Sequence, residues 1–177
     1  MLDEIIQEEE QIAREREEDA ARLGAAILQR PLSELAKLRE PAFVGPKASI
    51  RQAIDRMKAQ RAGCVLVEEG GRLIGIFTER DVLTKVVGTE IDLDKATVDT
   101  MMTADPESLG PDDKVSFALN TMSVRGFRHV PIVNDDDHPC GVVSMRDVVD
   151  YMVDLFHTEV LNLPPTPRLQ RPSREGA

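Results

Sequence analysis

The sequence predicts a mixed α/β (α+β) fold: two copies of a strand-helix-strand-strand-helix unit, packed sheet to sheet about a pseudo-twofold axis and preceded by an N-terminal helix. Three observations predict it. The stretch Gly75-Ile76-Phe77-Thr78-Glu79-Arg80-Asp81 returns in the second half as Gly141-Val142-Val143-Ser144-Met145-Arg146-Asp147. Ile50, Ala53, Ile54 and Met57, spaced for one helix face, return with the same spacing as Val115, Ala118, Leu119 and Met122. Cys64-Val65-Leu66-Val67 returns in the same register as His129-Val130-Pro131-Ile132, and one residue added in the turn Asn134 to Pro139 lengthens the offset for everything that follows. Features recurring in order at a fixed period mark an internal duplication.

Each element has a local reason. Residues 2–28 carry apolar positions spaced mostly by three or four among many charges. That pattern predicts a polar helical arm, residues 1–30, with little reason to be stable unless it packs on the body or on a second subunit. Pro31 suits a first helical turn, Leu32, Leu35 and Leu38 follow at intervals of three, and Pro41 stops the run. Ala42-Phe43-Val44 reads as a short strand, Gly45-Pro46 as a turn and Ser49 as the N-cap of the next helix. Cys64 to Val67 is a buried strand, Glu69-Gly70-Gly71 its turn, and Leu73 to Phe77 the returning strand before a helix over Val82 to Val87. The first copy is assigned residues 31–92 and the second 93–158. The Pro-rich stretch 159–177 is expected to be extended or disordered. A unit of about 60 residues buries only ~60% of its unfolded surface, so the two copies must share their apolar faces.

Composition narrows the function. With 41% apolar residues but 3% aromatics and no Trp, the core is aliphatic and offers no stacking platform for single-stranded nucleic acid. A net charge of −10 and a pI near 4.8 oppose phosphate-backbone binding, so nucleic acid is not expected as a partner. Half of that charge lies in residues 1–30, which hold nine Asp/Glu and four Arg. Cys64 and Cys140 lack a Cys-x-x-Cys partner and sit in apolar contexts, which predicts two buried free thiols. No apolar run approaches the ~18 residues of a membrane span and no secretory pattern opens the chain. The expectation is a cytoplasmic protein without membrane contact.

Thr78-x-x-Asp81 and Ser144-x-x-Asp147 admit two readings. As capping boxes, the hydroxyl closes the helix start and the acid three residues on answers it. As a binding motif, the same helix start, hydroxyl and carboxylate suit a phosphate and a ribose. No nucleophile, base and orienter group emerges, nor a P-loop, nor metal-ligand spacing among His129, His138 and His157. The run Asp135-Asp136-Asp137 reads as a solvated turn, and no enzyme is expected.

The duplicated order, the Gly-x-x-Thr/Ser-x-x-Asp motif before each last helix and Val98-x-x-Met101-Met102-Thr103 ahead of the second copy together resemble the CBS-domain family over roughly residues 31–157. The resemblance implies a pseudo-twofold pair of motifs whose clefts bind an adenosine-containing ligand: AMP, ADP or ATP first, with NAD or S-adenosylmethionine as further candidates. No cofactor is required. It implies a regulatory sensor, expected as a homodimer acting on an unknown effector protein. It also makes Arg128 and His129 phosphate-contacting positions, beside Ser144 and Asp147 of the second copy. Arg80 and Arg146 sit inside the motifs, and Phe43, Val44, Leu66, Leu109 and Pro131 are candidate walls for the adenine. The first copy has Gly63 and Cys64 where the second has Arg128 and His129, so the Ser144 and Asp147 site is expected to fill before that of Thr78 and Asp81. The competing reading is an oligomerisation scaffold in which both motifs only cap helices.

Overall fold

The computed structural model describes residues 11, 14, 22, 24–35 and 41–155. Gln11, Arg14, Arg22 and residues 24–28 are helical, and Ile27 is buried. The rest of the expected arm, the helix beyond Leu35 toward Leu38 and the tail lie outside the described residues.

The first copy runs β1 (Phe43–Val44), α2 (Ile50–Gln60), β2 (Cys64–Glu69) and β3 (Arg72–Thr78), preceded by the short α1 (Leu32–Leu35). Helix α3 (Glu79–Asp81) follows β3 directly and continues as a π-helical turn, Val82–Val86. The helix expected from Val82 therefore begins at Glu79, because Thr78 and Asp81 close a complete capping box there. Strands β2 and β3 pair antiparallel through the turn at Gly70 and Gly71, β1 adds parallel to β2, and β4 (Thr103–Ala104) adds antiparallel to β3. The four-stranded sheet has the order β1-β2-β3-β4.

The second copy contains α4 (Val115–Arg125), β5 (His129–Val133), β6 (Pro139–Ser144) and α5 (Met145–Leu155), with β5 and β6 paired antiparallel. Its first strand is reduced to a single bridge: Leu109 pairs with Ile132 in parallel, donating its N–H to Pro131 O over 3.0 Å and accepting from Val133 N–H over 2.9 Å. Leu109 and Ile132 are the counterparts of the paired Val44 and Val67, so the register of the duplication survives even where the strand does not.

The helices bury the repeated face. Ser49 caps α2 in a reciprocal box with Gln52, and Ile50, Ala53 and Met57 are buried; Val115, Ala118 and Met122 do the same on α4. Each copy has its own apolar core, the first built around the fully buried Phe77, and a third cluster of Cys64, Leu66 and Ile76 takes Val142 from the second copy, which joins the sheets face to face. Burying each such side chain contributes about 1.5–3 kcal/mol.

The lead-in segments are exchanged between copies. Leu32, ahead of β1 of the first copy, is fully buried in the core of the second with Val115, Ala118 and Val130. Val98, ahead of α4 of the second copy, is fully buried in the core of the first. The backbone repeats the exchange bond by bond. Val115 N–H donates to Arg30 O over 2.9 Å and Ile50 N–H to Ala96 O over 2.9 Å; Leu32 N–H reaches Asp113 O (2.8 Å) as Val98 N–H reaches Ala48 O (2.9 Å). The start of α4 has Lys114 where α2 has Ser49, so no side chain caps it; Lys114 Nζ instead donates to Gln29 Oε1 over 2.6 Å.

One cysteine departs from expectation. Cys64 is buried, and burial pushes its thiol up to about 12. Cys140 is exposed, because it lies on β6 at a position facing away from the core, and its Sγ reaches Ile132 O at 3.5 Å.

Candidate functional site

A cleft enclosing about 770 Å³, open mouth included, lies between the copies. The first copy lines it with Gly63, Ile76, Thr78, Glu79, Arg80 and Asp81; the lead-in to the second adds Thr103, Pro106 and Glu107; the second adds Phe127, Arg128, His129 and Pro131.

The turn after β3 sets the polar end. Asp81 Oδ2 accepts from Thr78 N–H (2.9 Å) and Thr78 Oγ1 (2.6 Å), while Asp81 N–H donates to Thr78 Oγ1 over 3.3 Å. Asp81 Oδ1 pairs with Lys85 Nζ at 2.7 Å, and Lys85 also donates to Met101 O at 2.6 Å. Burial pushes the Asp81 carboxyl up, but hydrogen bonds from Lys85 and Thr78 together outweigh it and hold the group below the usual carboxylate range. Arg80 crosses to the second copy and donates to Gly126 O over 2.8 Å. Gly126 ends α4 with a left-handed φ of 70°, which a glycine adopts without strain and which turns the chain into Phe127 and Arg128.

His129 forms the floor. The position of Gly63 makes room for it, since a Cβ there would stand 2.6 Å from His129 Nε2 and 3.6 Å from Glu79 Oε2. Burial holds the His129 imidazole below its ordinary value against the opposing pull of Glu79 and Asp147, so the ring is neutral at pH 7. Arg128 has no ion-pair partner among the described residues.

The geometry regroups the residues chosen from sequence. Arg128, His129 and Pro131 share a cleft with Thr78, Arg80 and Asp81 of the first copy, while His129 also pairs with Ser144 of the turn beside which the sequence set it. The reason is the pseudo-twofold packing: His129 heads a strand that crosses toward Gly63 instead of facing only its own turn. Ser144 and Asp147 form the matching capping box, with Asp147 Oδ2 accepting from Ser144 N–H (2.7 Å) and Oγ (2.6 Å). Ser144 is paired with His129 across β5 and β6 and lies outside the lining of this cleft. Arg146 approaches Asp150 at 3.8 Å on the exposed side of α5. Of the proposed adenine walls only Pro131 lines the cleft. Phe43 and Leu66 pack in the cluster joining the sheets, Val44 against the first core and Leu109 against the second. Ile76, Pro106 and Phe127 supply the apolar walls instead. Phe127 lies in the Arg-Gly-Phe-Arg-His stretch, whose proximity to Arg128 was the available signal; nothing in the sequence pointed to Pro106 or Glu107.

No helix among the described residues is long and apolar enough to cross a membrane. No group of three or more potential ligand side chains is placed to hold a metal ion among them.

The comparisons agree with this architecture. The chain is 34% identical over 116 residues to an uncharacterized 17.7 kDa protein of Acidianus ambivalens, covering 65% of this chain and 68% of that one. It is 27% identical over 114 residues to a CBS domain-containing protein of Arabidopsis thaliana, covering 64% of this chain but only 20% of the plant protein. Among solved structures, a CBS-domain containing protein from Agrobacterium tumefaciens superposes with a TM-score of 0.63 at 30% identity, covering 69% of this chain and 98% of that one. A CBS domain protein from Pyrobaculum aerophilum, complexed with AMP, gives a TM-score of 0.63 at 27% identity over 72% of this chain and 98% of that one. The family model described as the CBS domain matches residues 33–88 and again 98–154, and with the repeated register and the paired Thr/Ser-x-x-Asp turns this places the chain in the CBS-domain family, as a tandem pair of CBS motifs.

Proposed function

We propose that this protein is a regulatory sensor that binds an adenosine-containing ligand in the cleft between its CBS motifs and signals to another protein. The observation that carries the reading is convergence: Thr78 and Asp81 from one motif and Arg128 and Pro131 from the other line a single cleft. The Thr78 hydroxyl and the Arg128 guanidinium suit a phosphate, the Asp81 carboxylate suits ribose hydroxyls, and Ile76, Phe127 and Pro131 suit a base. The AMP complex of the similar Pyrobaculum aerophilum protein supports an adenosyl ligand. AMP is the first candidate, ADP and ATP the next, and NAD and S-adenosylmethionine follow. The role proposed is regulatory, in keeping with the match to the CBS-domain family.

Homodimerisation belongs to the same proposal. Leu83 and Val149 occupy equivalent positions of the two motifs and are 68% and 49% exposed. A pair of apolar positions related by the pseudo-twofold fits an isologous partner. The scaffold reading keeps one observation in its favour, because both capping boxes are complete without any ligand.

A thermal-shift screen with AMP, ADP, ATP, NAD and S-adenosylmethionine tests the function. A ligand at 100 times its Kd stabilises the fold by ~2.7 kcal/mol, and Arg128→Ala should abolish that gain. An unchanged melting temperature with all five ligands, together with a dimer in light scattering, would favour the scaffold instead.

A further inference from the structure

Asp81 is the one buried charged residue among the described residues. A buried carboxylate without a cation is costly, and the cation here is Lys85, whose Nζ lies 2.7 Å from Asp81 Oδ1. Lys85 stands outside the lining of the cleft, whereas Asp81 is part of it. The lysine is held at a second point, donating to Met101 O over 2.6 Å. Met101 leads into Met102 and Thr103, and Thr103 lines the same cleft. The other charged groups of the lining are Glu79, Arg80, Glu107 and Arg128, and none of them pairs with Asp81.

A carboxylate has about four acceptor sites. Three are taken in Asp81: Oδ2 accepts from Thr78 N–H and Thr78 Oγ1, and Oδ1 accepts from Lys85. One site on Oδ1 remains for an incoming hydroxyl, and a group fixed at both oxygens presents that site in one orientation. Without Lys85, Oδ1 loses its partner, and burial, the largest influence on the Asp81 carboxyl, is opposed by Thr78 alone. The second motif lacks this device. Tyr151 stands where the first has Lys85, no cation pairs with Asp147 among the described residues, and the stretch equivalent to the π-helical turn Val82–Val86 is regular α-helix.

We propose that Lys85 is a positioning residue for the sugar of the ligand: from outside the cleft it fixes the Asp81 carboxylate so that Oδ1 accepts a ribose hydroxyl. The inference rests on the adenosyl-ligand reading above and adds a residue that touches no ligand itself. Lys85 acts through Asp81, so its effect exists only for ligands that carry sugar hydroxyls.

Calorimetric titration of the full chain with adenosine and with dideoxyadenosine, which lacks the neighbouring pair of sugar hydroxyls, tests it. The wild type should bind adenosine roughly tenfold tighter, a difference of ~1.4 kcal/mol. Lys85→Met should shrink that ratio by about threefold or more, weakening adenosine and leaving dideoxyadenosine unchanged, whereas Lys85→Arg should keep it. Lys85→Gln, which can still donate to Met101 O, repeats the measurement should the first variant fold poorly. In an Asp81→Asn background, where the discrimination is already lost, Lys85→Met should change nothing further. Equal affinity of the wild type for the two nucleosides, equal weakening of both by Lys85→Met, tighter adenosine binding in that variant, or a further loss in the Asp81→Asn background overturns the proposal alone. Absence of heat with adenosine, dideoxyadenosine and AMP alike overturns the adenosyl-ligand reading and this proposal with it.

Discussion

Gly63 and His129 share one space: the ring of the second motif fills the volume that a side chain on the first would need, with 2.6 Å between His129 Nε2 and the position of a Gly63 Cβ. The glycine is thus required by a close approach between the motifs. Gly63→Ala is predicted to cost about 1–3 kcal/mol through overpacking. In a His129→Ala background the same change should be nearly neutral. Chemical denaturation of the four proteins of this cycle measures the coupling, and an equal cost in both backgrounds would remove the contact as its cause.

The buried histidine gives stability a pH dependence. His129 titrates lower in the folded protein than in the unfolded chain, so below the ordinary value of about 6.5 the unfolded state binds a proton that the folded state excludes. Stability is full above that value and falls as pH drops from it toward the lower folded value. Melting temperatures from pH 7.5 to 5.5 should decline in the wild type, and His129→Gln should flatten that part of the profile. The groups facing the ring are Glu79, Asp147 and Arg128, and changing Glu79 to Gln should steepen the decline by removing a carboxylate that favours the charged ring.

Asp81 loses its contribution in the same direction but in a more acidic range. Its folded carboxyl lies below the unfolded value, so its contribution is present above about pH 4 and is lost as pH falls through the folded value. Replacing Asp81 with Asn removes the box to Thr78 and the ion pair to Lys85, and should cost about 1 kcal/mol at pH 7. Urea titrations at pH 7 and pH 3 should show that difference shrinking at the lower pH.

Leu32 anchors the first lead-in in the second motif's core. Leu32→Ala is expected to cost about 2–5 kcal/mol, as for other fully buried leucines. Leu83→Ala, at an exposed position, should stay within about 0.5 kcal/mol in a monomeric preparation. Equilibrium unfolding compares the two, and a similar small effect at both positions would contradict the burial of Leu32.

The duplication was legible because it is written in spacing: Val44 with Val67 and Leu109 with Ile132 keep one register across the repeat. The capping boxes were legible because they are local, spanning Thr78 to Asp81 and Ser144 to Asp147. The exchange of lead-ins was not, since periodicity says that Leu32 and Val98 are apolar but not which of two similar cores receives them. The same ambiguity hid the second turn that Arg128 and His129 approach: they lie beside Ser144, where the sequence set them, and also reach the cleft of Thr78 and Asp81. Their strand position was correct, yet the cleft they enter depends on how the sheets meet through Leu66, Ile76 and Val142. Cys140 illustrates a smaller limit, because one residue on an edge strand can face outward within an apolar sequence.

The crossed lead-ins also fix an order of events during synthesis. Leu32 N–H bonds to Asp113 O, so its acceptor is made only once the whole first motif has been translated. At about 5–20 residues per second the ribosome needs ~4–16 s to travel from Leu32 to Asp113. Until then the Leu32 side chain has no core to enter, and for most of that interval the first motif lacks Val98 to complete its own. Neither half can therefore mature far ahead of the other, and a stalled product ending before Val98 leaves both apolar surfaces open to chaperones and proteases.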